Sequence, residues 1–196
     1  MIDIAEQLFI KKGYEKTAVS DIVKKAKVAQ GTFYYYFKTK EDILDLITDR
    51  YININVEGYE KIANEKGPNA LEKIIKIFQF SSSFRNNRKS LIQYLHEDKN
   101  ARLHLKFERK LPFMIAEPLS KIISQGVQEK IFDTAFPQEA AKAFIGVSAM
   151  VMQGIYNIKP GSEEYTRMLL ATIDFLERIL GAKSGLILNA YKKMEG

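Results

Sequence analysis

The segment from Val28 to Asp42, VAQGTFYYYFKTKED, most constrains the fold, because it joins two helical patterns at close range. Phe33 and Phe37 are four residues apart, so in a helix they share one face and can pack on a core. Gln30, Tyr34 and Tyr35 are then pushed outward. Thr39, followed three residues later by a carboxylate, is typical of a capping box that starts the next helix.

Two helices are predicted ahead of this segment. The first runs from Ile2 to Lys12, with an apolar stripe on one face, and closes at Gly13. Thr17 is the predicted N-cap of the second helix. The short helix that follows runs from Gln30 to Phe37 and exposes Gln30, Tyr34 and Tyr35. Two short helices joined by a tight turn, the second with an exposed polar and aromatic face, predict a helix-turn-helix.

The remainder reads as helix after helix, without repeats or the alternation typical of strands, so the predicted fold is all-α with about nine helices. Pro112 and Pro118 are expected to kink or divide one long helix, and a tail is expected after residue 180. The predicted later elements are a helix from Lys40 past Ile62, a break at 66–69, helices at 70–84, 90–97, 101–128, 138–158 and 162–180, and a turn at 85–88.

Composition excludes several classes of protein. Cysteine is absent, which excludes disulfides, thiolate metal sites and cysteine nucleophiles. No apolar run approaches the roughly 18 residues of a membrane span, and no signal peptide is recognised, so a cytoplasmic location is expected. The net charge is +6, but residues 1–50 hold nine Lys/Arg against eight Asp/Glu, net +1. Placement matters more than bulk charge, because Lys24, Lys25, Lys27, Lys38 and Lys40 cluster around the predicted helix-turn-helix.

The runs GYEKT, SDIVKKAKV, GTFYYYF and KTKED closely resemble the N-terminal DNA-binding domain of TetR-family transcriptional regulators. The resemblance implies a DNA-binding domain at 1–46 and a ligand-binding and dimerisation domain at 47–196. Gln30 is expected at a base edge, since an amide can pair bidentately with adenine. By family match, Tyr35 contacts bases or a thymine methyl, Gly31 permits close backbone approach, and the other contacts go to phosphates. The full predicted DNA-binding set is Thr17, Gln30, Gly31, Thr32, Tyr34, Tyr35, Tyr36 and Lys40.

Three departures from the family pattern are visible. Lys27 stands where the turn glycine is usual, so it is expected in a left-handed conformation at a cost of about 1 kcal/mol. Ala29 stands where a serine is usual, so a side-chain cap is missing from the recognition helix. The sequence begins almost inside the first helix, so contacts from a basic arm to the minor groove are not expected.

The last two predicted long helices indicate self-association. Apolar residues cover most of the circumference of the helix at 162–180, more than one core-facing side requires. The preceding helix is rich in small residues that let another helix approach closely. The alternative is that both helices are central in a monomer. Together with the family resemblance, the pattern predicts a homodimer whose interface includes Ala143, Gly146, Met150, Met168, Phe175, Leu176 and Ile179.

The middle helices are rich in aromatic residues and methionine, a pattern that ordinary core packing also produces. The family resemblance implies instead that these helices enclose a pocket for a small-molecule effector. Apolar walls with few polar anchors suit a hydrophobic or amphipathic ligand. The predicted ligand-binding residues are Phe78, Tyr94, His104, Phe107, Met114, Met150, Gln153 and Tyr156.

Two other classes of protein, an enzyme and an architectural DNA-binding protein, are alternatives to a regulator. An enzyme would have to use His96, Glu97, Asp98 and His104, the only cluster with metal or acid-base potential, and a solvated charged turn explains that cluster as well. No glycine-rich phosphate loop or nucleophile elbow is present, so no cofactor and no catalytic residue are predicted. The other alternative is an architectural DNA-binding protein without a ligand. The prediction favoured here is a repressor that binds a near-palindromic operator.

Overall fold

The protein is described by a computed structural model over residues 1–88, 94, 101–151, 158–159 and 161–195. Across these ranges the regular elements are α-helices and no strand is found, which confirms the all-α prediction. No helix in the same ranges is long and apolar enough to cross a membrane. The helices are α1 (Ile2–Lys12), α2 (Val19–Ala26), α3 (Gln30–Tyr36), α4 (Lys40–Asn64), α5 (Ala70–Asn87), α6 (Ala101–Gln128), α7 (Pro137–Val151), α8 (Glu163–Leu180) and α9 (Leu186–Glu195).

Local signals located several helix ends correctly. α1 has the predicted bounds, and α3 ends one residue before the predicted Phe37. The capping box at the start of α4 is confirmed, because the Asp42 N–H donates to Thr39 Oγ1 at 3.2 Å and the Thr39 N–H donates to Asp42 Oδ2 at 2.9 Å. Ser162 caps α8, since its Oγ accepts the Tyr165 N–H at 3.2 Å. Side chains that bond their own backbone can be read from sequence.

Helix α5 runs further than predicted, to Asn87, so the turn predicted at 85–88 is wrong for its first three residues. The physical reason is tertiary. Phe84 is buried, and its ring meets the ring of Tyr51 edge-on with centroids 5.4 Å apart. Burying that ring favours a helix that continues through it, which outweighs the weak helix propensity of the following asparagines.

Helix α6 is continuous through Pro112 and Pro118, so of the two predicted outcomes, a kink or a division, the division is wrong and the kink stays a prediction. Between and beyond the two prolines, apolar side chains are buried at helical spacing: Ile115, Leu119, Ile122 and Ile123. That buried stripe maintains one helix although each proline removes a backbone hydrogen bond.

The predicted tail folds instead as helix α9. The carboxylate of Glu177, in α8, accepts the N–H groups of Gly185 at 2.7 Å, Ile187 at 2.8 Å and Leu188 at 3.1 Å. These are N–H groups that a helix start leaves unsatisfied. The cap comes from another helix, so the local sequence carried no signal for it. The predicted helix at 90–97, apart from Tyr94, and residues 152–157 of the predicted helix at 138–158 lie outside the described residues. Ile158, its predicted last residue, is described and is not helical.

The chain divides into two compact units. The first contains residues 1–54 and 83–110, and the second contains residues 55–82 and 111–196. In the first unit, α1, α2, α3 and the first half of α4 enclose a core in which Phe9, Ile22, Phe33, Ile43 and Ile47 are fully buried.

The second unit is built on α5, the C-terminal part of α6, and α7 to α9. Helix α7 packs on α8, and α8 packs on α9. Lys73 is buried and donates to the Ala63 carbonyl and to Gln125 Oε1, both at 2.8 Å, which satisfies a charge that would otherwise be costly to bury. The fully buried apolar residues of this unit include Ile74, Leu119, Ile122, Ile123, Ala141, Leu176 and Leu180.

Candidate nucleic-acid interface

Helices α2 and α3 and the turn between them form the predicted helix-turn-helix. Ile22 of α2 and Phe33 of α3 are fully buried and fix the two helices on the core. Lys27, in the turn, has φ 56° and ψ 41°, so the predicted left-handed conformation is confirmed. Its N–H donates to the Lys24 carbonyl at 3.2 Å, and the Val28 N–H donates to the Val23 carbonyl at 3.1 Å. These bonds close α2 in the manner of a Schellman motif.

The outer face of α3 is aromatic and open to solvent. Tyr34, Tyr35 and Tyr36 are 53%, 81% and 66% exposed, because Phe33 takes the inward position of the helix. The predicted outward direction of Tyr34 and Tyr35 is therefore confirmed, and Tyr36 is exposed as well. Large exposed rings that end in hydroxyls suit a partner with both flat bases and phosphate acceptors.

The first turn of α3 is equally accessible. Gln30 and Gly31 are exposed, and Thr32 is half-buried. A Cβ added at Gly31 would meet no atom within 4 Å, so nothing inside the subunit requires glycine there. Ala29 provides no side-chain cap, as predicted. An open, small-residue helix start is what a close backbone approach to another molecule requires.

Thr17 does not fit its predicted roles. The N-cap of α2 is Ala18, whose N–H donates to Asp21 Oδ2 at 3.1 Å, so the predicted Thr17 cap is wrong. Thr17 is only 1% exposed, and its hydroxyl donates to the Gly13 carbonyl at 2.8 Å. Its assignment as a DNA contact is also corrected, since a buried side chain fastens the end of α1. Ser20, which is absent from the predicted DNA-binding set, is exposed in the first turn of α2.

Lys40 is held by the connection between α1 and α2. Its ammonium donates to the carbonyls of Tyr14 at 2.8 Å and Thr17 at 2.9 Å, and it lies 4.0 Å from the centroid of the Tyr14 ring. Burial lowers the pKa of Lys40 below its ordinary value, and the negative charge of Glu15 opposes that shift. An ammonium has three N–H donors, so two carbonyls leave one for another acceptor.

Tyr94 packs on the same connection. Its ring lies 4.6 Å from the ring of Tyr14, and its hydroxyl donates to Glu15 Oε1 at 3.3 Å. Burial is the main cause that raises the pKa of Tyr14 above its ordinary value. Tyr94 belongs to the first unit of the chain. The structure therefore places this predicted ligand anchor beside the helix-turn-helix, with its hydroxyl already bonded to a carboxylate.

The lysines around this surface differ in their contacts. Lys12 pairs with Asp21 at 2.7 Å, and that hydrogen bond is the main cause that lowers the pKa of the Asp21 carboxyl. In the part of the chain that the structure describes, the ammonium groups of Lys24, Lys27 and Lys38 make no hydrogen bond or ion pair, and all three side chains are exposed. They present positive charge next to the tyrosine face, as a phosphate backbone would require.

Residues 1–47, which comprise α1 to α3 and the start of α4, match the family model for bacterial regulatory proteins of the tetR family. The fatty acid metabolism regulator protein of Bacillus subtilis is 31% identical over 131 residues, which are 65% of this chain and 66% of that protein. The chain belongs to the TetR family. This TetR-family chain thus spans just under two thirds of that relative, and 23% of two further curated relatives.

Solved structures share the fold of this TetR-family chain along nearly its whole length. A transcriptional regulator from Cytophaga hutchinsonii has a TM-score of 0.67 at 20% identity, covering 92% of this chain and 94% of that one. SmeT of Stenotrophomonas maltophilia, in complex with triclosan, has a TM-score of 0.65 at 15% identity, covering 94% and 91%. At these identities the likeness extends to the fold and no further.

The predicted dimer residues fall into two groups. Ala143, Gly146 and Met150 are exposed on α7, with Met150 at 72%, and Phe175 is 44% exposed on α8. Met168 and Ile179 are half-buried. Leu176 is fully buried in its own subunit, so its assignment to the interface is wrong. Apolar residues surround most of α8, so the sequence could not distinguish the face that packs inside the subunit from the face that is exposed.

The predicted ligand residues are only partly described. Phe78 is half-buried, stacked on Phe144 with centroids 6.0 Å apart, and Met114 and Met150 are exposed. The side chains of His104 and Phe107, and the whole of Gln153 and Tyr156, lie outside the described residues. An open groove of about 590 Å³ runs between α5 and α9, and no predicted ligand residue lines it.

The TetR family consists of regulators and not of enzymes. Among the described residues no group of three or more His, Asp or Glu side chains could hold a metal ion. The cluster weighed as an enzyme site, His96 to Asp98 with His104, lies outside the described side chains.

Proposed function

We propose that this chain is a sequence-specific DNA-binding repressor that binds a near-palindromic operator as a homodimer and is released by a small hydrophobic or amphipathic ligand. The observation that carries the proposal is the exposed tyrosine face of α3, held outward by the fully buried Phe33. Three adjacent tyrosines left in solvent beside a fully buried phenylalanine form a contiguous exposed aromatic surface, which is typical of a binding site.

In this proposal residues 1–46 are the DNA-binding domain, and α3 enters the major groove. Gln30 reads a base edge, and Tyr35, the most exposed ring, touches a base or thymine methyl. Thr32, Tyr34 and Tyr36 donate to phosphates, and the space over Gly31 lets the backbone approach DNA closely. Ser20 joins the phosphate contacts, because its hydroxyl is exposed at the start of α2.

Lys40 has two tasks in the proposal. Its bonds to the Tyr14 and Thr17 carbonyls fix α4 to the connection between α1 and α2, and its remaining N–H donates to a phosphate. A phosphate would stabilise the charged ammonium and oppose the lowering of its pKa by burial.

Residues 47–196 are proposed to bind the effector and to form the dimer. The small and apolar residues exposed on α7 and α8 are the proposed interface, since a second copy would bury them. A two-fold axis then makes the operator a near-palindrome. Phe78, Met114 and Met150, with the undescribed His104, Phe107, Gln153 and Tyr156, remain the proposed effector contacts.

The effector class is supported by the names of similar proteins. One relative is a fatty acid metabolism regulator, and one structural neighbour was crystallised with triclosan. Both point to a small, largely apolar molecule. Its binding is proposed to favour a conformation of α4 in which the two reading helices of the dimer are wrongly spaced for the operator.

The decisive experiment is to recover bound DNA from a random duplex pool and to measure affinity for the selected sequence. Gln30→Ala should relax the preference at one base position per half-site, by about 1 to 3 kcal/mol. The matched control is Gln79→Ala, an exposed glutamine on α5, which should bind like the wild type. If the pool yields no preferred sequence, the chain is not a sequence-specific regulator.

The same DNA tests the effector and the direction of regulation. Palmitate and triclosan are added as probes to the complex, and transcription is measured in vitro from a template that carries the selected site. Release of DNA by either probe, with recovery of transcription, is the expected result. Specific binding that neither probe weakens would favour regulation without a hydrophobic effector.

A further inference from the structure

Lys27 occupies a backbone position that disfavours it. Its φ of 56° lies in the left-handed region, where a Cβ crowds the following carbonyl and glycine is favoured. The bond from the Val28 N–H to the Val23 carbonyl, at 3.1 Å, closes the turn around this conformation. The turn therefore imposes a conformational cost on lysine that glycine would avoid.

Contacts inside the subunit do not explain the lysine. Its side chain is exposed, and in the described part of the chain it makes no hydrogen bond or ion pair. Lys25, two residues earlier, differs because its ammonium donates to Gln7 Oε1 at 3.0 Å. Removing the Lys27 ammonium would leave no group of the described residues without a hydrogen-bond partner.

The position of Lys27 gives its charge a direction. Residues 27 to 31 form an unbroken exposed run that leads from the turn into the first turn of α3. Lys24, three residues earlier at the end of α2, is also exposed. The positive charge thus stands a few residues before Gln30 and Gly31, at the end of α3 that the proposed function places against DNA.

We propose that Lys27 binds a DNA phosphate at the entrance of the reading helix, and that this contact is what the lysine provides in place of the conformational freedom of glycine. The proposal rests on the proposed DNA-binding function. It adds Lys27 to the predicted DNA contacts. The left-handed backbone at Lys27 makes the proposal measurable, because Lys27→Gly should raise the stability of the chain and lower its affinity for DNA.

Lys130 offers a matched control. It is the other non-glycine residue with positive φ in the described residues, at 59°, and it follows the end of α6. Its side chain is also exposed, and its N–H donates to the Val127 carbonyl at 3.1 Å. Lys130→Gly therefore relieves the same backbone conformation in the second unit, outside the proposed DNA-binding domain.

The experiment compares Lys27→Gly, Lys130→Gly and Lys27→Arg by thermal unfolding and by DNA binding over a range of salt concentrations. Both glycine variants should raise Tm by about 2 to 4 °C. Because the dimer loses one phosphate contact in each subunit, only Lys27→Gly should make the slope of log affinity against log salt less steep by about 1.8 and weaken binding about 25-fold to 100-fold near 0.1 M salt. Lys27→Arg keeps the charge and should retain the wild-type slope.

The outcomes separate this proposal from the proposed function. If the wild type binds DNA and Lys27→Gly binds with the same salt slope, the phosphate assignment is overturned while the regulator stands. A fall in Tm for Lys27→Gly would show that the lysine acts through the end of α2 and would overturn the trade-off. If the wild type itself binds no duplex, the proposed function fails.

Discussion

The chemistry of the large side chains exposed on α3 differs from that of the large side chains exposed on α7 and α8. On α3 the exposed residues are Tyr34, Tyr35 and Tyr36, each an apolar ring that ends in a hydroxyl. On α7 and α8 the exposed large apolar side chains are those of Met150, Leu170 and Phe175, which carry no hydrogen-bonding group beyond a weak thioether, and Ala143 and Gly146 are exposed as well. The first surface is called the tyrosine surface below, and the second the α7–α8 surface.

The difference indicates the kind of partner that each surface accepts. Burying the α7–α8 surface against a similar surface costs no hydrogen bonds, and its small residues let helices approach. Burying the tyrosine surface in the same way would leave hydroxyls unsatisfied, whereas phosphates and base edges satisfy them. The exposed cations Lys24, Lys27 and Lys38 lie beside the tyrosine surface. The amount of exposed carbon alone would not separate the proposed DNA surface from the proposed subunit interface.

The largest expected effect is on the α7–α8 surface. Phe175→Glu would place an unpaired charge in the apolar interface of each subunit, which costs several kcal/mol per ion. The dissociation constant of the dimer should therefore rise by about a thousandfold or more. Analytical ultracentrifugation checks this, with circular dichroism to show that the subunit stays helical. A wild type that sediments as a folded monomer at micromolar concentration would remove the distinction between the two surfaces.

The neighbouring residue provides a contrast within one helix. Leu176 is fully buried in the subunit, so Leu176→Ala should lower the free energy of unfolding by about 2 to 5 kcal/mol. Its effect is expected in denaturant unfolding at protein concentrations where the dimer is intact. If Leu176→Ala instead dissociates the dimer and leaves the stability of the subunit unchanged, Leu176 belongs to the interface and not to the core.

On the tyrosine surface the hydroxyls, and not the rings, are expected to carry the effect. Tyr34→Phe and Tyr36→Phe keep the rings but remove one hydrogen bond each to a charged phosphate, which contributes about 1.5 to 3 kcal/mol. Operator affinity should fall at least about tenfold for each, with Tm unchanged. Tyr59→Phe is the control, since that hydroxyl lies 3.3 Å from Ser81 Oγ in the second unit. Equal affinity in all three variants would make the tyrosine surface another apolar interface.

The smallest expected effect concerns the cap that begins α4 behind the tyrosine surface. Thr39→Ala removes the acceptor for the Asp42 N–H and should destabilise the chain by about 1 kcal/mol. Urea unfolding measures the loss. If Thr39→Ala also weakens DNA binding under conditions where the variant is fully folded, the cap also positions Lys40.

The same cap predicts a dependence on pH. The hydrogen bond from the Thr39 N–H is the main cause that lowers the pKa of the Asp42 carboxyl. A lowered carboxyl pKa contributes stability above the unfolded value of about 3.9 and loses it as the pH falls through the lower folded value. Asp42→Asn should be less stable than the wild type at neutral pH, and the difference should shrink in acid. A constant difference would exclude the carboxylate charge as the cause.

Local chemistry determined what the sequence could predict. The bounds of α1, the Thr39 and Asp42 capping box and the left-handed Lys27 each depend on residues within a few positions of one another. The outward direction of Tyr34 and Tyr35 followed from the four-residue spacing of Phe33 and Phe37. Backbone geometry imposes these outcomes wherever the segment is helical, so they needed no knowledge of the rest of the molecule.

Tertiary contacts decided the rest. The Glu177 carboxylate accepts N–H groups at the start of α9, and the Thr17 hydroxyl donates to the Gly13 carbonyl after α1. Leu176 is buried in the core. Tyr94, predicted to hold a ligand, donates to Glu15 across a separation of 79 residues. Glu177 and Tyr94 meet partners ten and 79 residues away, and the burial of Thr17 and Leu176 depends on packing, so the same residue types would have suited the predicted roles equally well. Periodicity shows which side chains share a face of a helix, but only the packed structure shows what that face meets.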